Sequence, residues 1–160
     1  MQPNEVIDVL NRPASQELLA RTIARLGYVA GDGTPRVVPI GFTWNGAEFV
    51  LCTAKNAAKV RSLRKNPAVA LTIDTEAQPP KILLIRGNST QEALDDLPAE
   101  FLRQAAGMPP EQAAAWEAEV RDLYADGMVR IKVTPSWAKL IDFETTLPSA
   151  VEELVRRKNG

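Results

Sequence analysis

The chain has 160 residues, with 19 basic and 20 acidic side chains, one cysteine and no histidine. Its length suits one domain, and 45% hydrophobic with 24% charged residues is ordinary globular usage, which argues against disorder, collagen or a membrane span. The missing histidine excludes Ser-His-Asp and Cys-His nucleophilic sites and His-ligated zinc, while a lone Cys52 excludes an intrachain disulfide and thiolate metal clusters.

The segment Met1–Glu5 lacks the basic-then-apolar pattern of a signal peptide, so a cytoplasmic location is expected. Ser15 then opens a segment in which Leu18, Leu19, Thr22, Ile23 and Leu26 follow helical spacing. Gly27 stands where a C-terminal cap belongs, so one amphipathic helix is predicted from Ser15 to Leu26. Tyr28–Ala30 leads into a turn by composition, Gly31–Pro35, and on to an apolar run, Arg36–Trp44. Asn45-Gly46 is a strong hairpin signal, and Glu48–Thr53 leads away from it. Three antiparallel strands follow from this pattern. Pro39 lies inside the middle one and has no N–H for a ladder, so that strand is expected to be an edge there or to meet something other than a strand.

Lys55–Lys65 reads as a short helix with Val60 and Leu63 inward, ended by Asn66-Pro67. Ala68–Asp74 and Lys81–Gly87 read as strands. Leu97–Ala125 is helical in two pieces broken at Gly107–Pro110. Met128–Thr134 alternates apolar and polar with period two, Trp137–Phe143 is a further strand, and a final helix runs from about Ser149 to Arg157. The expectation is a mainly β fold over residues 1–160: one domain, a six- to seven-stranded antiparallel barrel with flanking helices. Charge is uneven, with five basic and no acidic side chains in residues 55–65 and nine acidic against two basic in residues 91–126. The basic run has no interleaved aromatics and the sequence pI is about 5.6, so a nucleic-acid surface is not expected.

Three pieces carry chemistry: Arg36-Val37-Val38-Pro39-Ile40 on a strand, Thr53 at the end of the next, and Lys59 with Arg61 on the helix after it. With the Gly33-Thr-Pro-Arg-Val-Val-Pro-Ile stretch, the Lys-x-Arg-x-Leu-x-x-Asn-Pro helix end and the strand Ala68–Asp74, the chain resembles the pyridoxamine 5′-phosphate oxidase-like family of FMN-binding split barrels over residues 15 to 143. The resemblance implies a homodimer that binds FMN and passes a hydride to or from a small conjugated substrate. It also implies a strand Arg36–Gly41 lying along the isoalloxazine and ribityl chain. A flavin-binding module without turnover is the alternative from a different class. Two departures matter. Ala57-Ala58-Lys59 keeps only the lysine of the oxidases' serine–arginine–lysine run, and their histidine-containing substrate segment is absent, so pyridoxamine phosphate oxidation is not expected.

A flavin phosphate is a compact, nearly dianionic group, and Thr53 lies just ahead of a helix start flanked by Lys55 and Lys59. Arg36 adds a forked donor from the neighbouring strand. Lys59 and Arg61 stand roughly 200° apart around a helix, so they face different grooves, whereas Lys55 and Lys59 are expected to share a face. By family position, Lys81 reaches a flavin across a dimer interface and Trp137 borders the ring. No side chain is nominated as catalytic acid or base, and no metal is expected. FMN is favoured over the deazaflavin coenzyme, whose glutamate tail needs further cations.

Overall fold

The N-terminal residues form a helix that the sequence reading passed over, α1 (Pro3–Leu10). Its start is nonetheless encoded: Pro3 fits the first turn, and the Glu5 carboxylate accepts the Gln2 backbone N–H at 2.6 Å. Val6, Val9 and Leu10 are buried. A second short helix, α2 (Pro13–Leu19), also opens on proline. It stops well before Leu26, correcting the expected Ser15–Leu26 helix, because residues 23–29 form strand β1 (Ile23–Val29). Ala24, Leu26 and Tyr28 are buried in alternation, and Gly27 is no cap but pairs with Val37 on one side and Ala70 on the other. A helix would satisfy the same apolar spacing locally; a strand inserted between two neighbours buries more, and tertiary pairing overrides propensity.

The computed structural model describes residues 1–159, and among these six strands close into one antiparallel barrel in the order β1-β2-β3-β6-β5-β4. The remaining strands are β2 (Pro35–Trp44), β3 (Phe49–Ala54), β4 (Ala68–Asp74), β5 (Ile82–Leu94) and β6 (Met128–Ile141). The predicted hairpin joins β2 to β3: Gly46 has φ 96°, and the Asn45 side-chain oxygen accepts the N–H groups of Ala47 and Glu48. Helix α3 (Ala58–Lys65) follows β3, starting later than the expected Lys55 because the Ala57 N–H closes a turn onto the Ala54 carbonyl. Helices α4 (Ala99–Leu102) and α5 (Pro110–Leu123) lie between β5 and β6, and α6 (Ser149–Lys158) follows β6.

Two strands expected around Pro135 are one. The β5–β6 register shifts between Arg86 and Gly87, opposite Pro135, so the ladder absorbs the proline as a bulge and continues. This is also why β5 runs past Gly87 to Leu94, since β6 offers it a partner throughout. Leu26, Phe49, Leu51, Leu71, Ile73, Leu83, Ile85 and Ile131 fill the barrel. A second cluster of Leu97, Phe101, Val120 and Met128, with half-buried Cys52, Trp116 and Tyr124, fixes α4 and α5 to the outside of β3 and β6.

The feature that positions the site is a parting of two strands. Ile23–Val29 pairs with Pro35–Gly41 along the whole of β1, but β2 pairs with β3 only at Phe42–Trp44 against Phe49–Leu51. Beyond Leu51, β3 pairs with β6 alone. The second edge of Arg36–Gly41 therefore has no strand beside it, which is the edge that Pro39 required. No helix among the described residues is long and apolar enough to cross a membrane.

Candidate functional site: the mouth of the split barrel

Had the β2–β3 pairing continued in register, Ile40 would oppose Thr53. Instead the pairing stops at Phe42 and Leu51, so the Arg36–Ile40 edge is left without β3 beside it, and β3 runs on through Thr53 to the turn ahead of α3. Pro39 and Val37 are exposed on this edge, Val37 to 70%, while Val38 is half-buried and Ile40 is buried against the barrel.

Thr53 and Lys59 meet. The Lys59 Nζ donates to the buried Thr53 hydroxyl oxygen at 3.2 Å. Burial holds the Lys59 ammonium below its ordinary pKa, and among the described residues no carboxylate pairs with it to offset the cost. The backbone adds to this local excess of positive potential. Ala57 is the residue before α3 and its side chain cannot cap the helix; the Val60 N–H closes onto the Ala57 carbonyl at 3.0 Å, which leaves the N–H groups of Ala58 and Lys59 for another acceptor. A hydroxyl, an ammonium and an uncapped helix start form a donor set for an anion with several acceptor oxygens. A flavin-type phosphate fits it on chemistry alone.

The other predicted residues divide. Lys55 lies ahead of α3 in the turn, and its Nζ is 3.7 Å from the exposed Asp95 carboxylate; the expectation that it shares a helical face with Lys59 is corrected. Arg36 folds back on the β1–β2 turn, where its guanidinium pairs with Asp32 at 3.2 Å and reaches the Thr34 hydroxyl. Arg36 and Arg61 line one groove of about 380 Å³, together with Tyr28, Asp32, Ser62 and Lys65. The angular separation of Lys59 from Arg61 is thus real: one turns toward Thr53, the other into this second groove. Lys81 stands at the opposite end of the β5–β6 ladder from Thr53 and is ion-paired to Glu17, which raises its pKa. Trp137 is half-buried, with the Arg86 guanidinium stacked 4.3 Å from its ring centre.

Sequence reading missed a second cavity beside the split. A half-open cavity of about 340 Å³ is lined by Arg21 and Thr22 after α2, Gly41–Trp44 of β2, Val50 and Cys52 of β3, and Glu100, Phe101, Arg103 and Gln104 of the α4 segment. The Gln104 amide nitrogen lies 3.0 Å from where a Cβ on Gly41 would sit, so a glycine in a strand marks a close approach. That glycine was the one local signal. Arg103 and Gln104 reach the cavity because Phe101 packs into the outer cluster, which no local pattern announces. Burial, and then the Glu100 carboxylate, push the Cys52 thiol up to about 11, so it stays protonated.

A closed antiparallel barrel that parts between its second and third strands, with inserted helices outside, defines a split β-barrel protein. A family model described as pyridoxamine 5′-phosphate oxidase matches residues 12–140, and the chain belongs to that family. Among solved structures, an F420 reductase is 25% identical, with 78% of this chain and 94% of that one covered and a TM-score of 0.55. A FAD-binding protein of Mesorhizobium loti is 19% identical, covering 88% of this chain and 94% of that one at TM-score 0.51. The heme storage protein HutZ of Vibrio cholerae is 18% identical, covering 81% and 92% at TM-score 0.56. These last two share the fold. No curated protein matches the chain significantly.

Proposed function

We propose that the protein is a flavin-dependent oxidoreductase that holds FMN in the split between β2 and β3 and exchanges a hydride with a small conjugated molecule. The observation that carries this reading is the Lys59–Thr53 contact at a helix start without a side-chain cap, a phosphate-sized donor set just past the point where β3 parts from β2. Thr53, Lys59 and the N–H groups of Ala58 and Lys59 at the start of α3 hold the phosphate. The backbone of Arg36–Ile40, with Val37, Val38 and Pro39, borders the ribityl chain and ring through carbonyl and N–H groups that no strand uses. The flavin supplies the hydride chemistry when bound, and the chain supplies binding, orientation and exclusion of water. Lys55 and Arg61 contribute long-range positive potential, while Lys81 and Trp137 approach the cofactor only from a second copy of the chain.

The exposed edge also supports a homodimer. A free strand edge with Val37 outward needs covering, and two-fold self-pairing is the commonest way a small protein covers such a face. A second reading of the cofactor has its own observation. The Arg36–Arg61–Lys65 groove lies off the phosphate set and suits the carboxylates of a deazaflavin coenzyme's tail, and the F420 reductase is the most similar in sequence of the structures described above. FMN is the reading retained, because Arg36 is already engaged by Asp32 and Thr34.

The absorption spectrum of the purified protein, with mass analysis of what heating releases, tests this directly. Bound FMN, and turnover with a reduced nicotinamide and an acceptor, are expected. A coloured protein without turnover would make it a binding module, and a colourless protein indifferent to added flavin would refute the reading.

A further inference from the structure

The half-open cavity of about 340 Å³ carries an excess of positive charge at the fork of β2 and β3. Phe42 and Leu51 are the last pair these strands make; Gly41 and Cys52, which would pair next, both line the cavity. The cavity therefore sits at the end of the free Arg36–Gly41 edge. Gln104 of the α4 segment closes over that end, its amide nitrogen 3.0 Å from where a Cβ on Gly41 would stand.

Three charged side chains line it: Arg21, Glu100 and Arg103. Glu100 is engaged from behind, since its carboxylate accepts from the Arg130 guanidinium at 3.1 Å while Arg130 also pairs with Glu92 at 2.9 Å. Arg21 and Arg103 are exposed and make no ion pair among the described residues. Three guanidiniums thus stand against two carboxylates, and the protonated Cys52 thiol adds no charge. The wall between is apolar and largely aromatic, with Leu19, Phe42, Trp44 and Phe101. A site of this volume, mostly apolar with a few fixed polar groups, has the make-up of a small-molecule pocket.

We propose that this cavity is the substrate pocket of the oxidoreductase proposed above and takes a small planar carboxylic acid, with Arg21 and Arg103 on the carboxylate and Phe42 and Trp44 against the conjugated body. The assignment rests on the flavin reading, because a ring lying along the Arg36–Gly41 edge meets the cavity at Gly41. Guanidinium forks match a carboxylate's two oxygens, whereas the apolar wall serves acid and neutral molecule alike. An excess of one positive charge suits a monoanion better than a dianionic phosphate ester. The Gln104 amide supplies a neutral donor at the end of the pocket nearest the flavin edge.

Calorimetric titration of the full-length chain with trans-cinnamate, its neutral isostere trans-cinnamamide, and phenyl phosphate tests this. Cinnamate should bind about tenfold or more tighter than the amide, and tighter than phenyl phosphate. Arg21→Gln combined with Arg103→Gln should remove the preference for the acid and leave FMN affinity unchanged, which shows that the variant is folded. Arg61→Glu, in the other groove, should leave the preference intact. In the FMN-loaded protein, cinnamate should also shift the flavin absorption band. Equal affinity for acid and amide, a preference that survives the double variant or disappears in Arg61→Glu, or a flavin band that does not move overturns the proposal. Tighter binding of phenyl phosphate overturns the carboxylate class. FMN bound without any preference for the acid refutes the pocket alone. An arginine-dependent preference in a protein that takes up no FMN refutes the flavin reading, and with it the cavity's part in that reaction.

Discussion

Lys59 Nζ and Thr53 Oγ1 are 3.2 Å apart, and they come from different elements: a strand that has just lost its partner and the helix that begins after it. The contact joins the two halves of the candidate phosphate set before any anion is present. Desolvation of the lysine is the cost, visible as a lowered pKa. A phosphate placed there would reverse that shift by supplying the missing opposite charge, so the site is more favourable for an anion than for water.

A pH dependence follows from that reversal. Lys59 loses its proton below the ordinary lysine pKa of 10.5 in the free protein and regains it when a dianion binds. Affinity for FMN is therefore full at neutral pH and falls as pH rises through the lowered free-protein value, before 10.5 is reached. Lys59→Arg, which stays charged throughout, should abolish that fall. A fluorescence titration across alkaline pH checks this, with riboflavin as the phosphate-free control.

Arg61 separates the two cofactors. Arg61→Glu reverses charge in the groove shared with Arg36 and Lys65 but leaves the Thr53–Lys59 pair untouched. FMN affinity should change less than about threefold, the size of a screened surface effect. The deazaflavin coenzyme should lose much more, in proportion to its extra carboxylates, and the loss should shrink at high salt. Titration of both ligands at two salt concentrations reads the difference.

Gly127 ends the α5 excursion and returns the chain to β6. Its φ is 82°, and a Cβ there would stand 1.9 Å from the Leu94 carbonyl oxygen. Gly127→Ala combines a left-handed backbone with a clash against backbone, so it should cost about 2–3 kcal/mol in denaturant unfolding. Gly31→Ala, where a Cβ meets nothing within 4 Å, is the matched control and should cost much less.

Asp142 organises the loop after β6. Burial pushes its carboxyl up, but the Thr145 hydroxyl and the N–H groups of Thr145, Thr146 and Glu144 outweigh this and bring it to about 2, from an ordinary 3.8. A depressed folded-state pKa contributes stability above 3.8 that is lost as pH falls through about 2, on the order of 2 kcal/mol. Asp142→Asn should therefore melt lower than the unaltered protein at neutral pH. The difference should close in strong acid.

The barrel was largely legible in the sequence because its signals are local. Asn45-Gly46 dictates a hairpin, Ala68–Asp74 shows period two, and Pro39 inside an apolar run announces an edge. What failed was non-local. Residues 23–26 satisfy helical and strand spacing alike, and pairing with β2 and β4 decided for strand. Pro135 looked like a break between strands, yet β5 accommodates it as a register shift. Among candidate site residues, Thr53 and Lys59 were brought together as their spacing implied. Lys55 was not, since a turn at Ala54–Ala57 removes it from the helix. Arg36 was drawn to Asp32 by a turn whose side-chain geometry leaves no sequence pattern.

The most direct measurement compares FMN and riboflavin binding to the unaltered protein and to Lys59→Ala. Charge-assisted phosphate contacts are worth roughly 1.5–3 kcal/mol, so FMN affinity should fall about ten- to a hundredfold while riboflavin affinity barely changes. Equal losses for the two ligands, or no loss for either, would contradict the assignment of Thr53 and Lys59 as the phosphate site.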